Sequence, residues 1–210
     1  MNFIFLGPPG AGKGTLAAKI AEEYTIPHIS TGDIFRKAIK DQTPLGKKVK
    51  DIIDSGALVS DDITCALVEE RIKQSDCQNG FILDGFPRTI PQAEAFEKIC
   101  NDCNVVNLVV DNQLIIDRLS NRRVCKGCGK TYNIKYLLPK TEGKCDDCGD
   151  DLYTRDDDKI ESITHRLEVY EDQTAPLISF YKALNKITDI DGTKELEEKI
   201  ESFKKAFPHS

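Results

Sequence analysis

Short apolar runs alternate along the chain with longer stretches in which apolar residues return every three or four positions. Asn2-Phe-Ile-Phe-Leu6 has the length of a buried strand and is closed by Gly7-Pro8-Pro9-Gly10, after which Ala17, Ile20, Ala21 and Tyr24 fall at helical spacing. Pro27–Ser30 predicts a short strand; Thr31 and Asp33 suit the start of a helix, and Pro44 the first turn of another. Asp61 and Asp62 charge the first turn of a helix reaching about Gln74. Phe81-Ile-Leu-Asp84 is a strand ending in a carboxylate, and Thr89-Ile-Pro-Gln92, with capping-box spacing, opens a helix to about Cys100. Val105–Val110 predicts a strand and Asn112–Arg122 a helix. Ile163, Leu167, Tyr170 and Leu177 then follow helical spacing, with Pro176 dividing that stretch into two helices. Lys186–Asp191 is the last predicted strand and Thr193–Phe207 the last helix.

This alternation predicts an α/β fold with a parallel sheet and right-handed crossovers. Residues 124–158 stand apart. They carry four cysteines and glycines at 127, 129, 143 and 149 with little helical periodicity, which marks an inserted subdomain.

Composition narrows the function classes. At 210 residues with 40% hydrophobic and 30% charged residues, the chain has the balance of a globular domain. No apolar run approaches the ~20 residues of a membrane span, and no signal peptide is expected. The net charge of −6 argues against a general nucleic-acid coater. Eight cysteines in a chain long enough to build a core point to a reducing, cytoplasmic setting rather than a disulfide scaffold. The spacing Cys125-x-x-Cys128 and Cys145-x-x-Cys148 suits one structural zinc ion held by four thiolates. Cys100-x-x-Cys103 lacks a second pair and reads as ordinary packing, and His28, His165 and His209 show no paired spacing for metal or triad chemistry.

The strongest chemical signal is Gly7-Pro-Pro-Gly-Ala-Gly-Lys-Gly-Thr15, lying after a strand and before a helix. Glycines let successive backbone N–H groups point at an anion, the helix start adds its positive dipole end, and Lys13 reaches the phosphates. The general phosphate-loop pattern has Ser or Thr directly after the lysine; here Gly14 stands there and Thr15 follows.

That form resembles the nucleoside monophosphate kinase family, the adenylate kinases in particular. The resemblance continues through Thr31-Gly-Asp-Ile-Phe-Arg36, Gly56-Ala-Leu-Val59, Asp84-Gly-Phe-Pro-Arg-Thr89 with Gln92, Asp117-Arg118, Arg122, Thr154-Arg155-Asp-Asp-Asp158, Arg166 and Asp191-Gly-Thr-Lys194. It implies a three-layer phosphate-loop fold on a five-stranded parallel sheet. The core would comprise residues 1–29, 60–121 and 160–210, with a helical monophosphate-binding insertion at 30–59 and a zinc-binding lid at 122–159. The implied reaction is reversible, direct in-line transfer of a phosphoryl group from ATP to AMP, giving two ADP with Mg²⁺, by a monomer.

The resemblance also implies residue roles. Lys13, Arg88, Arg122, Arg155 and Arg166 would be catalytic. Gly10, Ala11, Gly12, Lys13, Gly14, Thr15, Arg118, Arg122, Thr131, Tyr132 and Lys194 would bind ATP. Thr31, Arg36, Ala57, Leu58, Val59, Gly85, Phe86, Pro87, Arg88, Gln92, Arg155 and Arg166 would bind AMP. Asp84 would hold Mg²⁺ through water, and Asp157 and Asp158 would join the closed lid. The residue chemistry agrees: several phosphates need several cations, and the planar arginine fork bonds phosphate oxygens in pairs. Arg123 is expected to stay a surface residue. Gln92 can both cap its helix and offer an amide donor and acceptor to an adenine edge; kinases of UMP and CMP resemble this chain but usually carry Asn in that stretch. A switch GTPase would need Asn-Lys-x-Asp, and Asn185-Lys-Ile-Thr188 lacks the aspartate. A zinc-ribbon nucleic-acid module would need a basic ribbon, but Asp146, Asp147, Asp150 and Asp151 make this one acidic.

Overall fold

A computed structural model of the chain describes residues 1–208; His209 lies outside them. The elements run β1 (Asn2–Leu6), α1 (Lys13–Tyr24), β2 (His28–Ser30), α2 (Thr31–Lys40), α3 (Pro44–Asp54), α4 (Asp61–Ile72), β3 (Phe81–Asp84), α5 (Ile90–Glu97) and β4 (Cys103–Val109). They continue as α6 (Asn112–Ser120), β5 (Arg122–Cys125), β6 (Thr131–Asn133), β7 (Leu152–Tyr153), α7 (Ile160–Val169), α8 (Pro176–Ala183), β8 (Ile187–Asp191) and α9 (Leu196–Ala206).

The main sheet has the order β2-β3-β1-β4-β8 and every pairing in it is parallel. A parallel sheet must be covered on both faces, and β1 shows how one strand serves two cores. Phe3 and Phe5 point to the face covered by α1 and α9, where they join Leu16, Ile20 and Phe203. Ile4 and Leu6 point to the other face, with Val68 of α4, Phe96 of α5 and Tyr181 of α8. The result is the parallel α/β arrangement that the alternating pattern predicts, in the three layers that the resemblance implies. Phe203 is fully buried and its ring centroid lies 5.0 Å from that of Phe3, so truncation to Ala removes about 3–5 kcal/mol of packing.

Between β2 and α4, the helices α2 and α3 pack on each other around Phe35, Val49 and Val59. Ser30 Oγ caps α2 by accepting from Asp33 N at 3.3 Å, and Thr43 Oγ1 caps α3 by accepting from Gly46 N at 3.0 Å. Between α6 and α7 lies a second, antiparallel sheet of order β6-β5-β7, whose small interior is Cys125, Tyr132 and Cys145.

Several element ends differ from the sequence reading. The helix expected to reach Cys100 stops at Glu97, because Ile99 N and Cys100 N both bond Phe96 O and tighten the chain into a turn. The helix expected to reach Arg122 stops at Ser120: Asn121 Nδ2 donates to Asp117 O at 2.8 Å, and Arg122 instead pairs with Asn133 across β5 and β6. The break expected at Pro176 is a wide π-type turn, Tyr170–Thr174, with Pro176 opening α8.

Candidate functional site

Parallel strands leave a crevice beyond their carboxyl ends, and here the loops after β1 and β3 border a cleft of about 560 Å³. The α2–α3 insertion and the antiparallel sheet wall its two ends.

The phosphate loop forms the floor. Gly12 has φ 94°, a left-handed conformation that a side chain would strain, and it starts α1 so that the helix's free N–H groups face the cleft. Lys13 Nζ folds over the loop, donating to Gly7 O at 2.6 Å and Pro8 O at 2.8 Å. Burial lowers its pKa to about 8; Asp84 opposes the shift, whereas Arg88, Arg166 and Arg122 add to it. One ammonium is thus held beside three guanidinium groups with few counter-charges, which is the electrostatics of a polyanion site.

Arg88 follows β3. Its Nε donates to Gly85 O at 2.8 Å, the same carbonyl that Thr31 Oγ1 reaches at 2.8 Å. Gly85 has φ 80°, and a Cβ there would lie 2.9 Å from Arg88 Nη2, so glycine is required for this approach. Burial, with Arg36 and Arg155 nearby, depresses the pKa of Arg88, and Asp84 works the other way. Asp84 itself would be raised by burial, but His28 at 3.5 Å and Lys13 hold its pKa below the ordinary carboxylate value. Asp84 is therefore an ionised oxygen donor on the cleft floor. A Cβ on Gly14 would sit 3.3 Å from its Oδ2, so the missing side chain leaves open the space a hydrated hard cation needs.

The opposite wall carries three arginines tied to two aspartates. Asp158, with its side chain fully buried, accepts from Arg122 Nε at 2.7 Å, from Arg122 Nη2, and from Arg166 Nη1 at 3.0 Å. Asp157 accepts from Arg155 Nε at 2.7 Å and pairs with Arg166 Nη1 at 3.1 Å. Burial disfavours the charge of Asp157, but Arg166 and Arg155 overcome it and hold its pKa well below the carboxylate range. Burial, with Arg122 and Arg155 adjacent, lowers Arg166 to about 9. Burial likewise depresses Arg122, whereas the burial of Arg155 is outweighed by Asp157 and its pKa ends up raised. Lys13, Arg36, Arg88, Arg118, Arg122, Arg155, Arg166, Lys194 and Lys199 line the cleft against the carboxylates of Asp33, Asp84, Asp157, Glu195 and Glu197, with Asp158 behind Arg122 and Arg166. The surplus is positive, and the site suits a substrate carrying several phosphate charges.

At the far end, Gln92 is 1% exposed and fixed by two bonds: Oε1 accepts from Arg88 N at 2.8 Å, and Nε2 donates to Asp61 Oδ1 at 2.7 Å. The capping box expected with Thr89 is half made. Thr89 Oγ1 accepts from Gln92 N at 3.3 Å, but the glutamine side chain satisfies Arg88 rather than Thr89. One donor and one acceptor of the amide remain at the cleft. Arg36 pairs with Asp33, and Arg118 Nη1 donates to Gly192 O at 2.9 Å.

Thr15, Thr31, Ala57, Leu58, Val59, Pro87, Thr131 and Lys194 all line the cleft as well. Two of the expected nucleotide contacts do not line it, and Asp158 lies behind Arg122 and Arg166. Ala11 is buried under the loop, and Phe86 faces the core edge-on to Phe96 at 5.4 Å. Tyr132 touches the cleft but its hydroxyl accepts from Asp146 N at 2.7 Å inside the small sheet. Arg123, expected at the surface, is half-buried; it donates to the backbone carbonyls of Ser120 and Arg122 and does not line the cleft. Sequence reasoning missed Lys199 and Tyr136, which also line the cleft. Lys199 sits among the charges of α9, where only its burial sets it apart. The Tyr136 hydroxyl donates to Asp117 Oδ2 at 2.6 Å, and nothing in its spacing signals that contact.

Below the small sheet, Cys125 and Cys148 lie 3.3 Å apart (Sγ to Sγ) and Cys128 and Cys145 3.5 Å, with all four sulfurs within 4.8 Å of one another. Four thiols gathered so closely form a donor set for one tetrahedral soft metal ion.

A family model described as adenylate kinase matches residues 5–186. An adenylate kinase of Treponema denticola is 58% identical over 209 residues, covering 100% of both chains. Another from Carboxydothermus hydrogenoformans is 53% identical, covering 98% of this chain and 99% of its own. One from the archaeon Archaeoglobus fulgidus is 49% identical across 94% of this chain and 93% of its own.

Proposed function

This chain belongs to the adenylate kinase family and transfers a phosphoryl group between ATP and AMP, and we propose that Lys13, Arg88, Arg122, Arg155 and Arg166 stabilise that group in flight. The observation that carries the assignment is the convergence of these five cations, with Arg36, Arg118, Lys194 and Lys199 beside them, on one cleft whose lining carboxylates are fewer: Asp33, Asp84, Asp157, Glu195 and Glu197. Phosphoryl transfer spreads negative charge over the equatorial oxygens of the moving group, so positioning and charge stabilisation account for most of the catalysis.

ATP lies with its phosphates on the loop from Gly10 to Thr15 and its base toward Arg118, Thr131, Tyr132 and Lys194. Of these, Ala11 contributes only its backbone. AMP lies between Thr31, Arg36, the Ala57–Val59 segment and the Gly85–Arg88 turn, with Phe86 acting from beneath. The spare donor and acceptor of Gln92 then meet the polar edge of adenine, preorganised by the bonds to Arg88 and Asp61. Adenylate kinases use Mg²⁺ with ATP; Asp84 would hold the ion through water, and the ion would draw charge from the phosphate oxygens. When the phosphates arrive, Arg122, Arg155 and Arg166 exchange part of their pairing with Asp157 and Asp158 for phosphate oxygens, and the small sheet shields the transfer from water.

The four thiolates would hold a structural Zn²⁺. Four sulfurs complete a tetrahedral shell and leave no position for substrate. The domain division in this reading is a core of residues 1–29, 60–121 and 160–210, the α2–α3 insertion at 30–59 and a lid at 122–159. The reading takes the chain as a monomer in the reducing cytoplasm, in keeping with eight cysteines in a chain long enough to build a core without disulfides. No described helix is long and apolar enough to cross a membrane. Nucleotides rather than nucleic acid are the partners, since the lid surface is acidic. The test is a coupled assay offering each nucleoside monophosphate with ATP and Mg²⁺. AMP is expected to have the highest kcat/KM, and a preference for CMP or UMP would refute the Gln92 assignment.

A further inference from the structure

Away from the cleft, the described residues gather one other group of metal-ligating side chains. Cys100, Asp102 and Cys103 occupy the turn from α5 into β4, and a ligand atom of each lies within 4.8 Å of the others. Cys103 pairs with Asn2 at the start of β1, which places the group at the opposite end of the sheet from the phosphate loop. We propose that Cys100, Asp102 and Cys103 form a second metal site, three-liganded and open to solvent, for a thiophilic divalent cation of the zinc class.

The spacing supports this. The two sulfurs stand 3.4 Å apart, between the 3.3 Å and 3.5 Å of the paired thiols in the small sheet, and far from the ~2 Å of a disulfide. Cys100 Sγ also lies 3.0 Å from Asp102 Oδ1, so thiol and carboxylate face one point. A second layer is present as well. Asn2 Nδ2 donates to Asp102 Oδ1 at 3.0 Å and to Cys100 Sγ at 3.6 Å, orienting two ligands from outside as supporting residues of metal sites do. Cys103 is buried in the main core, which fixes one ligand, while Cys100 is half-buried and Asp102 exposed. An ion could therefore enter from solvent and keep a water in its fourth position. Two thiolates with one carboxylate favour zinc or cadmium over magnesium or calcium. Packing accounts for Cys103 within the core and Cys100 against it; it does not account for Asp102 turning to Cys100 under a shared amide donor.

The experiment is a Cd²⁺ titration of the full chain, stripped of metal and reduced with a phosphine, followed by thiolate-to-cadmium ultraviolet absorption. Two equivalents are expected, the second weaker. Cys100→Ser with Cys103→Ser should leave one. Asn2→Ala keeps all three ligands and should weaken the second by about tenfold, and Asp102→Asn should weaken it by at least as much. Unchanged melting temperatures of these variants without metal would show that the fold is intact. A single equivalent in the unaltered chain would overturn the proposal. So would a second equivalent that survives loss of both cysteines, or one indifferent to Asp102→Asn.

Discussion

Replacing Asp158 with asparagine tests whether the arginine wall is balanced internally until phosphate arrives. The substitution keeps shape and removes one charge from a fully buried side chain that serves Arg122 and Arg166. Arg166 retains Asp157, at 3.1 Å, whereas Arg122 loses its bidentate partner. Breaking a buried ion pair on one side costs about 3–5 kcal/mol, because the remaining charge stays desolvated. The amide can still accept one hydrogen bond, so the lower end applies, about 3 kcal/mol. For a chain of this length, that corresponds to a fall of about 6–12 °C in melting temperature.

With both nucleotides bound, phosphate oxygens supply the negative charge that the Asp158→Asn variant lacks. The deficit should then shrink to less than half, and the stabilisation by nucleotides should be larger in the variant than in the parent. Differential scanning calorimetry of each protein, with and without ATP plus AMP at saturating concentration, measures both differences. Equal deficits in the two states would refute the exchange of aspartate for phosphate. A ligand-free melting temperature within about 1 °C of the parent would refute the buried-pair argument itself.

Lys13→Met should leave a folded chain whose kcat/KM falls by at least ~10²-fold, the effect of losing one preorganised charge at the transferring group; near-parent turnover would remove Lys13 from the catalytic set. Its pKa of about 8 lies below the ordinary 10.5, so the unfolded chain binds more protons between those values, and this group's contribution to ligand-free stability rises from pH 8 to 10.5. Over the same range kcat/KM for ATP should decline as free Lys13 loses its charge, and a pH profile flat to about 10 would contradict it. Gln92→Leu should raise the Michaelis constant for AMP more than that for ATP, by ~1–3 kcal/mol of unpaired base contacts, and equal increases would place the glutamine's role elsewhere. Cys128→Ala should abolish one bound zinc per chain and lower the melting temperature; a parent protein without metal and with unaltered melting would defeat the zinc assignment.

The alternation of strands and helices was legible because each element follows its own period, and β1 shows it best: Phe3 and Phe5 serve one core, Ile4 and Leu6 the other. Periodicity cannot give the order β2-β3-β1-β4-β8, which long-range pairing decides. The phosphate loop was legible because its chemistry is local. The run Asp156-Asp-Asp158 looked, by composition, like a solvated loop. Only the resemblance pointed inward, and the burial of Asp157 and Asp158 depends on arginines reaching them from β5 and α7. Cys100 and Cys103 read as packing at a helix end, and both do pack there, Cys103 within the core and Cys100 against it; what spacing does not give is the turn after Glu97 that brings Asp102 and Asn2 to them.

These differences share one physical cause. A residue whose partners are near in sequence declares its role through spacing; a residue neutralised from afar does not. The five cations illustrate the point, because none has a local partner sufficient to hold it in a low-dielectric cleft. Arg155 comes nearest, with Asp157 two positions away, and it alone keeps a raised pKa, while burial depresses Lys13, Arg88, Arg122 and Arg166. A cleft that holds four depressed cations is electrostatically strained on its own and relieved when a polyphosphate fills it. The free energy spent on desolvating those charges in folding is recovered as differential binding of the most negative species on the reaction path. Asp157 and Asp158 limit that strain without removing it, since full neutralisation by fixed carboxylates would leave nothing for the phosphates to gain.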